Sequence, residues 1–223
     1  MGVTSIFLLR HGALAADARE RFVGQTDLPL SPEGRRQAEA LGQILREFDI
    51  DCVYCSDLLR ARQTAEILVG DARFPILPRG DLREIALGEW EGLSRREVAE
   101  RFPEQYGARG SDIEGYRVPG GESFADCQLR VLGAWQDIVK LGLRRVVIVG
   151  HAGANRVLLC HLLGMPVASL FSLGQDYGCV NLIDYEEGRS DVRLINGRAD
   201  DLPGHLPNRK GDRPCMDYER TES

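Results

Sequence analysis

The chain has 223 residues, 43% of them hydrophobic and 28% charged, with a formal net charge of −6 at pH 7. That length suits one well-buried α/β core, and no apolar run approaches the length of a membrane span. An acidic balance without a long basic run excludes nucleic acid and anionic membranes as main partners. The opening Met1-Gly2-Val3-Thr4 lacks the basic start and apolar stretch of a signal peptide. The expected location is therefore cytoplasmic, with the six cysteines as reduced thiols.

In chain order, Ile6-Phe7-Leu8-Leu9 is a short apolar run that reads as a buried strand. Ser31-Pro32-Glu33-Gly34 offers an N-cap, a first-turn proline and an early acid. Ala38, Leu41, Ile44, Leu45 and Phe48 extend it as a helical stripe. Cys52-Val53-Tyr54-Cys55 reads as a second strand. Its CxxC spacing also matches a redox or zinc pair, but no second CxxC or histidine pair accompanies it. Ser56-Asp57 stands where it can cap a helix carrying Ala61, Ala65, Ile67 and Leu68. Residues 75–78 read as extended, 82–90 as irregular around Gly88, and 93–101 as a short helix. The polar, Gly-rich stretch 106–121 predicts a surface loop, and 122–141 a long helix. Arg145-Val146-Val147-Ile148-Val149 is the strongest strand, continuous enough to be buried on both faces. A helix follows to about Leu163. Residues 180–185 and 192–195 predict a hairpin turned near Glu187-Gly188. From Arg198 the chain is polar, with Pro203, Pro207 and Pro214, and reads as a tail. The alternation of strands and helices predicts a mostly parallel sheet covered on both faces.

The chemistry-bearing residues fall at strand ends. Arg10-His11-Gly12 closes the first strand and Gly150-His151 closes the strongest. Uncompensated charge is costly away from water, so an arginine and a histidine at the end of a buried strand need a purpose. Ligands in open α/β sheets collect beyond the carboxyl ends of the strands. Both histidines are therefore expected at one crevice, each beside a glycine that lets backbone approach a ligand. Arg60, near a helix N-terminus, suits an anion. Glu84, Glu89 and Glu91 lie in one acid-bearing loop. Trp90 reads as core or pocket wall, Arg35-Arg36 as a solvated helix face, and His161 as packing. His205 is assigned nothing. Asp49-Ile50-Asp51 matches half of an aspartyl phosphatase DxD motif but precedes its strand instead of following it. With no P-loop, HExxH or Asp-rich motif, neither metal nor other cofactor is expected.

Six blocks stand in order between residues 5 and 165: "LLRHG", "GQTDLPLSPEGRRQAEALG", "YCSDLLRARQTAE", "LREIALGEWEG", "PGGESF" and "VVIVGHAG". The set resembles the histidine phosphatase superfamily. That resemblance implies a three-layer α/β/α fold of the phosphoglycerate-mutase-like type, with one catalytic domain over 1–197 and a polar tail over 198–223. It implies His11 as a nucleophile that becomes a phosphohistidine and His151 as a contact to the transferring phosphoryl group. Glu84 would give the leaving alkoxide its proton and then deprotonate the attacking water. Arg10 and Arg60 would clamp the phosphate, with Gly24, Gln25 and Thr26 as the loop touching phosphate and substrate. The chemistry fits these residue types. Guanidinium forks suit a dianion, attack needs a neutral imidazole, and an imidazolium at His151 would add positive charge where the transition state is negative.

The activity implied is a metal-independent phosphomonoesterase acting on a small phosphorylated metabolite, in the branch that includes α-ribazole phosphatases. A cofactor-dependent phosphoglycerate mutase is the alternative within the fold, although residues 93–119 are shorter than the mutases' insertion. A non-catalytic scaffold binding a phosphorylated ligand is the alternative of another class, and the presence of the nucleophile opposes it. Substrate choice falls to 13–23 and 95–119. There Phe22, Tyr106, Tyr116 and Arg117 are candidate lining residues, with a solvated loop as the preferred reading. The expected partner is the phosphorylated substrate. Oligomeric state, a homodimer included, stays open.

Overall fold

The computed structural model describes residues 2–72 and 74–204. Its strands are β1 (Thr4–Arg10), β2 (Cys52–Ser56), β3 (Ile76–Arg79), β4 (Arg145–Gly150), β5 (Val180–Glu186) and β6 (Arg189–Gly197). They form one sheet in the order β3-β2-β4-β1-β5-β6. The first four are mutually parallel, β5 runs antiparallel to β1, and β6 antiparallel to β5. The helices are α1 (Ala16–Arg19), α2 (Pro32–Leu45), α3 (Leu59–Val69), α4 (Arg95–Arg101), α5 (Pro103–Ser111), α6 (Phe124–Lys140) and α7 (Ala152–Leu162). No helix among the described residues is long and apolar enough to cross a membrane.

Period-2 alternation along the strands splits the core in two. Phe7, Leu9, Val53, Val147 and Val149 pack under α2 and α3, whereas Ile6, Leu8, Tyr54, Val146 and Ile148 pack under α6 and α7. Both faces are covered, which is why β4 is continuously apolar. The same alternation disposes of the CxxC pair. Cys52 belongs to one core and Cys55 to the other, so the two thiols point to opposite faces of the sheet. Burial pushes Cys52 up to about 11 and Cys55 up to about 12. At the β5–β6 turn, Glu187 and Gly188 both adopt positive φ (48° and 87°), the left-handed pair of a two-residue hairpin.

This layering positions the site. The helix after β1 goes to one face of the sheet and the helix after β4 to the other, although the two strands are neighbours. The connections diverge at the carboxyl ends of β1 and β4 and open a crevice there.

Three local expectations are revised. Residues 106–111 of the expected loop belong to helix α5, which Pro103 begins at its first turn. Gly107 and Gly110 are poor helix formers and conceal its periodicity. Neither Ser56 nor Asp57 caps α3. The Leu59 amide is instead capped from a distance by Asp27 Oδ1 (2.6 Å), while Asp57 forks onto Arg83 (2.6 and 2.7 Å). Beyond Arg198, Ala199–Gly204 makes a 3-10 turn that buries Leu202 in the α2/α3 core. The rest of the expected tail, with His205 and Cys215, lies outside the described residues.

Candidate active site

The parallel ladder pairs Arg10 with Gly150, and the His11 amide donates to the Gly150 carbonyl (3.1 Å). His11 and His151 therefore leave adjacent strands at the same level. Both are buried, with ring centroids 5.1 Å apart. His11 Nδ1–H donates to the Gly12 carbonyl (2.8 Å), which leaves Nε2 as the ring's lone-pair nitrogen. The backbone here is packed tightly. The Gly12 amide donates to Thr64 Oγ1 (3.1 Å), and a Cβ on Gly12 would collide with the Gly34 carbonyl in the first turn of α2.

Arg60, in the first turn of α3, is 1% exposed. Its Nη groups donate to the carbonyls of Gly24 and Thr26 (both 2.7 Å), and its Nε donates to His151 Nδ1 (3.3 Å). Because Nδ1 accepts, the His151 proton sits on Nε2, a buried nitrogen with no partner among the described residues. Arg10 donates to the Gln175 carbonyl (2.6 Å), and its guanidinium lies 3.6 Å from the centre of the Tyr177 ring. Its Nε is likewise buried and unpartnered. Buried N–H donors left unpaired are costly, and Arg10 Nε and His151 Nε2 are two such donors flanking His11. Burial holds His11 well below the usual histidine range, reinforced by the charges of Arg60 and Arg10. His151 is lowered by burial too, then by Arg60. Both shifts favour the neutral ring, against the imidazolium expected at His151.

The three acids separate by position. Glu89 is exposed. Glu91 accepts from the amides of Gln25 (2.8 Å) and Leu87 (3.1 Å) and from the Thr26 hydroxyl (2.9 Å), tying two loops together. Glu84 faces the cleft, its carboxylate accepting from the amides of Ile85 (3.0 Å), Gly153 (3.0 Å) and Ala154 (3.1 Å). A Cβ on Gly153 would stand 2.5 Å from Glu84 Oε1, so a larger residue there would push the carboxylate aside.

The cleft has a volume of about 770 Å³. Arg10, His11, Gly24, Arg60 and Glu84 line it, and the His151 ring, fully buried, lies beside that of His11. Gln25 and Thr26 do not line it: the Gln25 amide group donates to the Glu84 carbonyl (3.0 Å), and the Thr26 hydroxyl is spent on Glu91. Phe22 and Tyr106 line the cleft, Trp90 is both core and wall, and Tyr116 and Arg117 are not in the lining. The exposed Arg35, Arg36 and His161 take no part. Asp51 accepts from the backbone amides of Arg144 (2.6 Å) and Arg145 (3.1 Å), a structural tie below the sheet.

Sequence reasoning missed Arg130. From α6 its guanidinium donates to the carbonyls of Asp81 (3.1 Å), Arg83 (2.7 Å) and Glu84 (3.1 Å) and pairs with Glu122 (2.7 Å). Glu122 in turn accepts from the Ala86 amide (3.0 Å). The Gly120-Gly121 step lets residues 119–122 lie against 86–88 backbone to backbone. The stretch "PGGES" thus serves to hold the Glu84 loop. Also missed were Arg109, Arg156 and Tyr177, which line the cleft.

An open, mostly parallel sheet brings two imidazoles, two guanidiniums and a carboxyl group together at its switch point, a set of groups suited to binding and transferring a phosphoryl group. The chain belongs to the histidine phosphatase superfamily, branch 1, whose family model matches residues 6–198. It is 34% identical over 202 residues to the adenosylcobalamin/α-ribazole phosphatase of Salmonella typhimurium, covering 87% of this chain and 96% of that protein. It is 32% identical over 216 residues to the protein named probable phosphoglycerate mutase GpmB of Enterobacter sp. strain 638, covering 95% of this chain and 97% of that one. The crystal structure of the α-ribazole phosphatase from Shigella flexneri superimposes with a TM-score of 0.81 at 29% identity, covering 87% of this chain and 97% of that chain.

Proposed function

We propose that this chain is a metal-independent, cytoplasmic phosphomonoesterase that hydrolyses a small phosphorylated metabolite through a phosphohistidine at His11. The carrying observation is the pair of buried neutral rings 5.1 Å apart, each turned so that one nitrogen stays free. Arg10 and Arg60 neutralise the phosphate dianion, the task a metal ion performs in other phosphatases. His11 Nε2 attacks phosphorus as the ester P–O bond breaks, and Glu84 gives its proton to the departing alkoxide. His151 donates its Nε2 proton as a hydrogen bond to a phosphoryl oxygen. Water then attacks phosphorus, Glu84 takes its proton, the Nε2–P bond breaks, and inorganic phosphate leaves. By analogy with the relatives, an α-ribazole phosphate is one candidate substrate.

The test is hydrolysis of p-nitrophenyl phosphate at mildly acid pH in EDTA. Turnover that vanishes in His11→Ala, with an acid-labile, base-stable label trapped on the wild type, is expected. Unchanged turnover in that variant removes His11 as nucleophile. The GpmB-like relative keeps a mutase reading in play. An open cleft admits water to the phosphohistidine and favours hydrolysis. Incubation with 3-phosphoglycerate, with and without 2,3-bisphosphoglycerate, should release phosphate; formation of 2-phosphoglycerate would instead establish the mutase.

A further inference from the structure

The cleft is much larger than a phosphoryl group needs, and its charge is lopsided. Seven arginines line it against one carboxylate, Glu84, in a chain whose net charge is −6. Most of these guanidiniums are accounted for. Arg10 and Arg60 form the clamp, Arg19 pairs with Glu33, Arg21 pairs with Glu97 (3.3 Å), and Arg95 is exposed to solvent. Arg109 on α5 and Arg156 on α7 are different. Each is partly buried, and among the described residues neither meets a carboxylate within ion-pairing distance. Arg109 rests on the rings of Trp90 and Phe124 (5.5 and 5.3 Å to the centroids). Arg156 spends its Nε on the Leu173 carbonyl (2.8 Å) and lies 5.7 Å from the Phe171 ring. Phe124 and Phe171 themselves meet edge to face (5.9 Å), so the aromatic pair joins the two guanidiniums along one wall of the cleft.

Rings on one side strip water from these forks, and among the described residues no carboxylate comes within ion-pairing distance to replace it. Burial is the largest influence on both and lowers their pKa; at Arg156 the charges of Glu84 and Asp176 offset part of this from beyond ion-pairing distance. A ligand anion on that wall would recover the desolvation cost and find bidentate donors in a low-dielectric setting.

We propose that Arg109 and Arg156, joined by the Phe124–Phe171 pair, form a second anion subsite that takes a carboxylate on the leaving alcohol. The preferred substrate is then a phosphorylated hydroxy or amino acid. Phosphomonoesters of neutral alcohols leave the wall empty. This rests on the phosphatase reading above.

The test uses two matched pairs of phosphomonoesters: 3-phosphoglycerate against glycerol 3-phosphate, and O-phosphoserine against O-phosphoethanolamine. Free phosphate release is measured for the wild type and for Arg109→Leu, Arg109→Lys and the double variant Arg109→Leu/Arg156→Leu. The wild type should favour the acid-bearing member by at least about tenfold in kcat/KM, mostly through KM. The preference should shrink in Arg109→Leu, be partly retained in Arg109→Lys, which keeps the charge but not the fork, and approach unity in the double variant. A wild type that hydrolyses p-nitrophenyl phosphate but treats the pairs alike, or favours the neutral members, overturns the subsite and leaves the phosphatase reading standing. So does a preference that survives in the double variant. A wild type inactive on p-nitrophenyl phosphate and on all four esters overturns both.

Discussion

Replacing Arg130 with methionine should damage stability and catalysis in separable ways. The guanidinium makes three hydrogen bonds to the carbonyls of Asp81, Arg83 and Glu84 and forks onto Glu122 at 2.9 and 2.7 Å. Removing one partner of a buried ion pair costs about 3–5 kcal/mol. The two side chains here are 20% and 24% exposed, so solvent screening brings the expectation to about 2–3 kcal/mol. For a chain of this size that corresponds to a fall of about 5–10 °C in the melting temperature. The catalytic effect comes through the Glu84 loop, which Arg130 and Glu122 hold from behind. A displaced general acid loses up to about 10²-fold, but only where the leaving group needs a proton. The assay is therefore kcat for p-nitrophenyl phosphate, whose phenolate leaves unaided, beside kcat for an alkyl phosphate. Arg130→Met should slow the alkyl ester at least tenfold more than the aryl ester, and Glu84→Gln should show the same asymmetry. Equal losses on both esters in Arg130→Met would refute the positioning argument and leave Arg130 as a purely structural ion pair. A melting temperature within a degree of wild type would refute the energetic one.

Stability should fall with acidification. Above the ordinary histidine pKa of about 6.5, folded and unfolded chains both carry neutral rings at His11 and His151, and the lowered values contribute nothing. Below it the unfolded chain takes up protons that the folded one refuses, a loss of up to about 1.4 kcal/mol per ring per pH unit. Urea melts at pH 7 and pH 5.5 should show the decline, smaller in His11→Asn/His151→Asn; an equal decline in that variant removes the buried rings as its cause. Gly107 has ordinary helical φ, and a Cβ there would meet nothing within 4 Å. Gly107→Ala should therefore raise stability by about 0.5–1 kcal/mol, read by thermal melting, and a loss would show that α5 needs a glycine at that place.

The residues that sequence reasoning recovered obey local rules. A β-branched run between polar ends makes β4, Ser31 caps α2 with its hydroxyl 3.1 Å from the Gly34 amide, and the histidines sit where strands stop. Glu84 was legible among three nearby acids only through the register of its motif. What stayed hidden depends on contacts distant in the chain. Asp27 caps a helix that begins 32 residues later, and Arg130 reaches back 46 residues to the Glu84 carbonyl. Neither leaves a periodicity or a spacing to read. Gln25 and Thr26 stand in the expected loop, but whether their side chains turn toward the cleft or toward Glu91 is decided by packing with residues 84–91.

The distance between the two imidazoles is a property of the sheet. Neighbouring strands stand about 4.8 Å apart whatever their sequence, and His11 and His151 step off two such neighbours opposite each other, giving 5.1 Å between rings. The reactive geometry is thus inherited from backbone pairing and is indifferent to what surrounds the mouth of the crevice. Segments such as α5 and the turn bearing Phe171 can be exchanged, lengthened or recharged without retuning the phosphoryl chemistry beneath them. One scaffold can in this way change its clientele while keeping its engine.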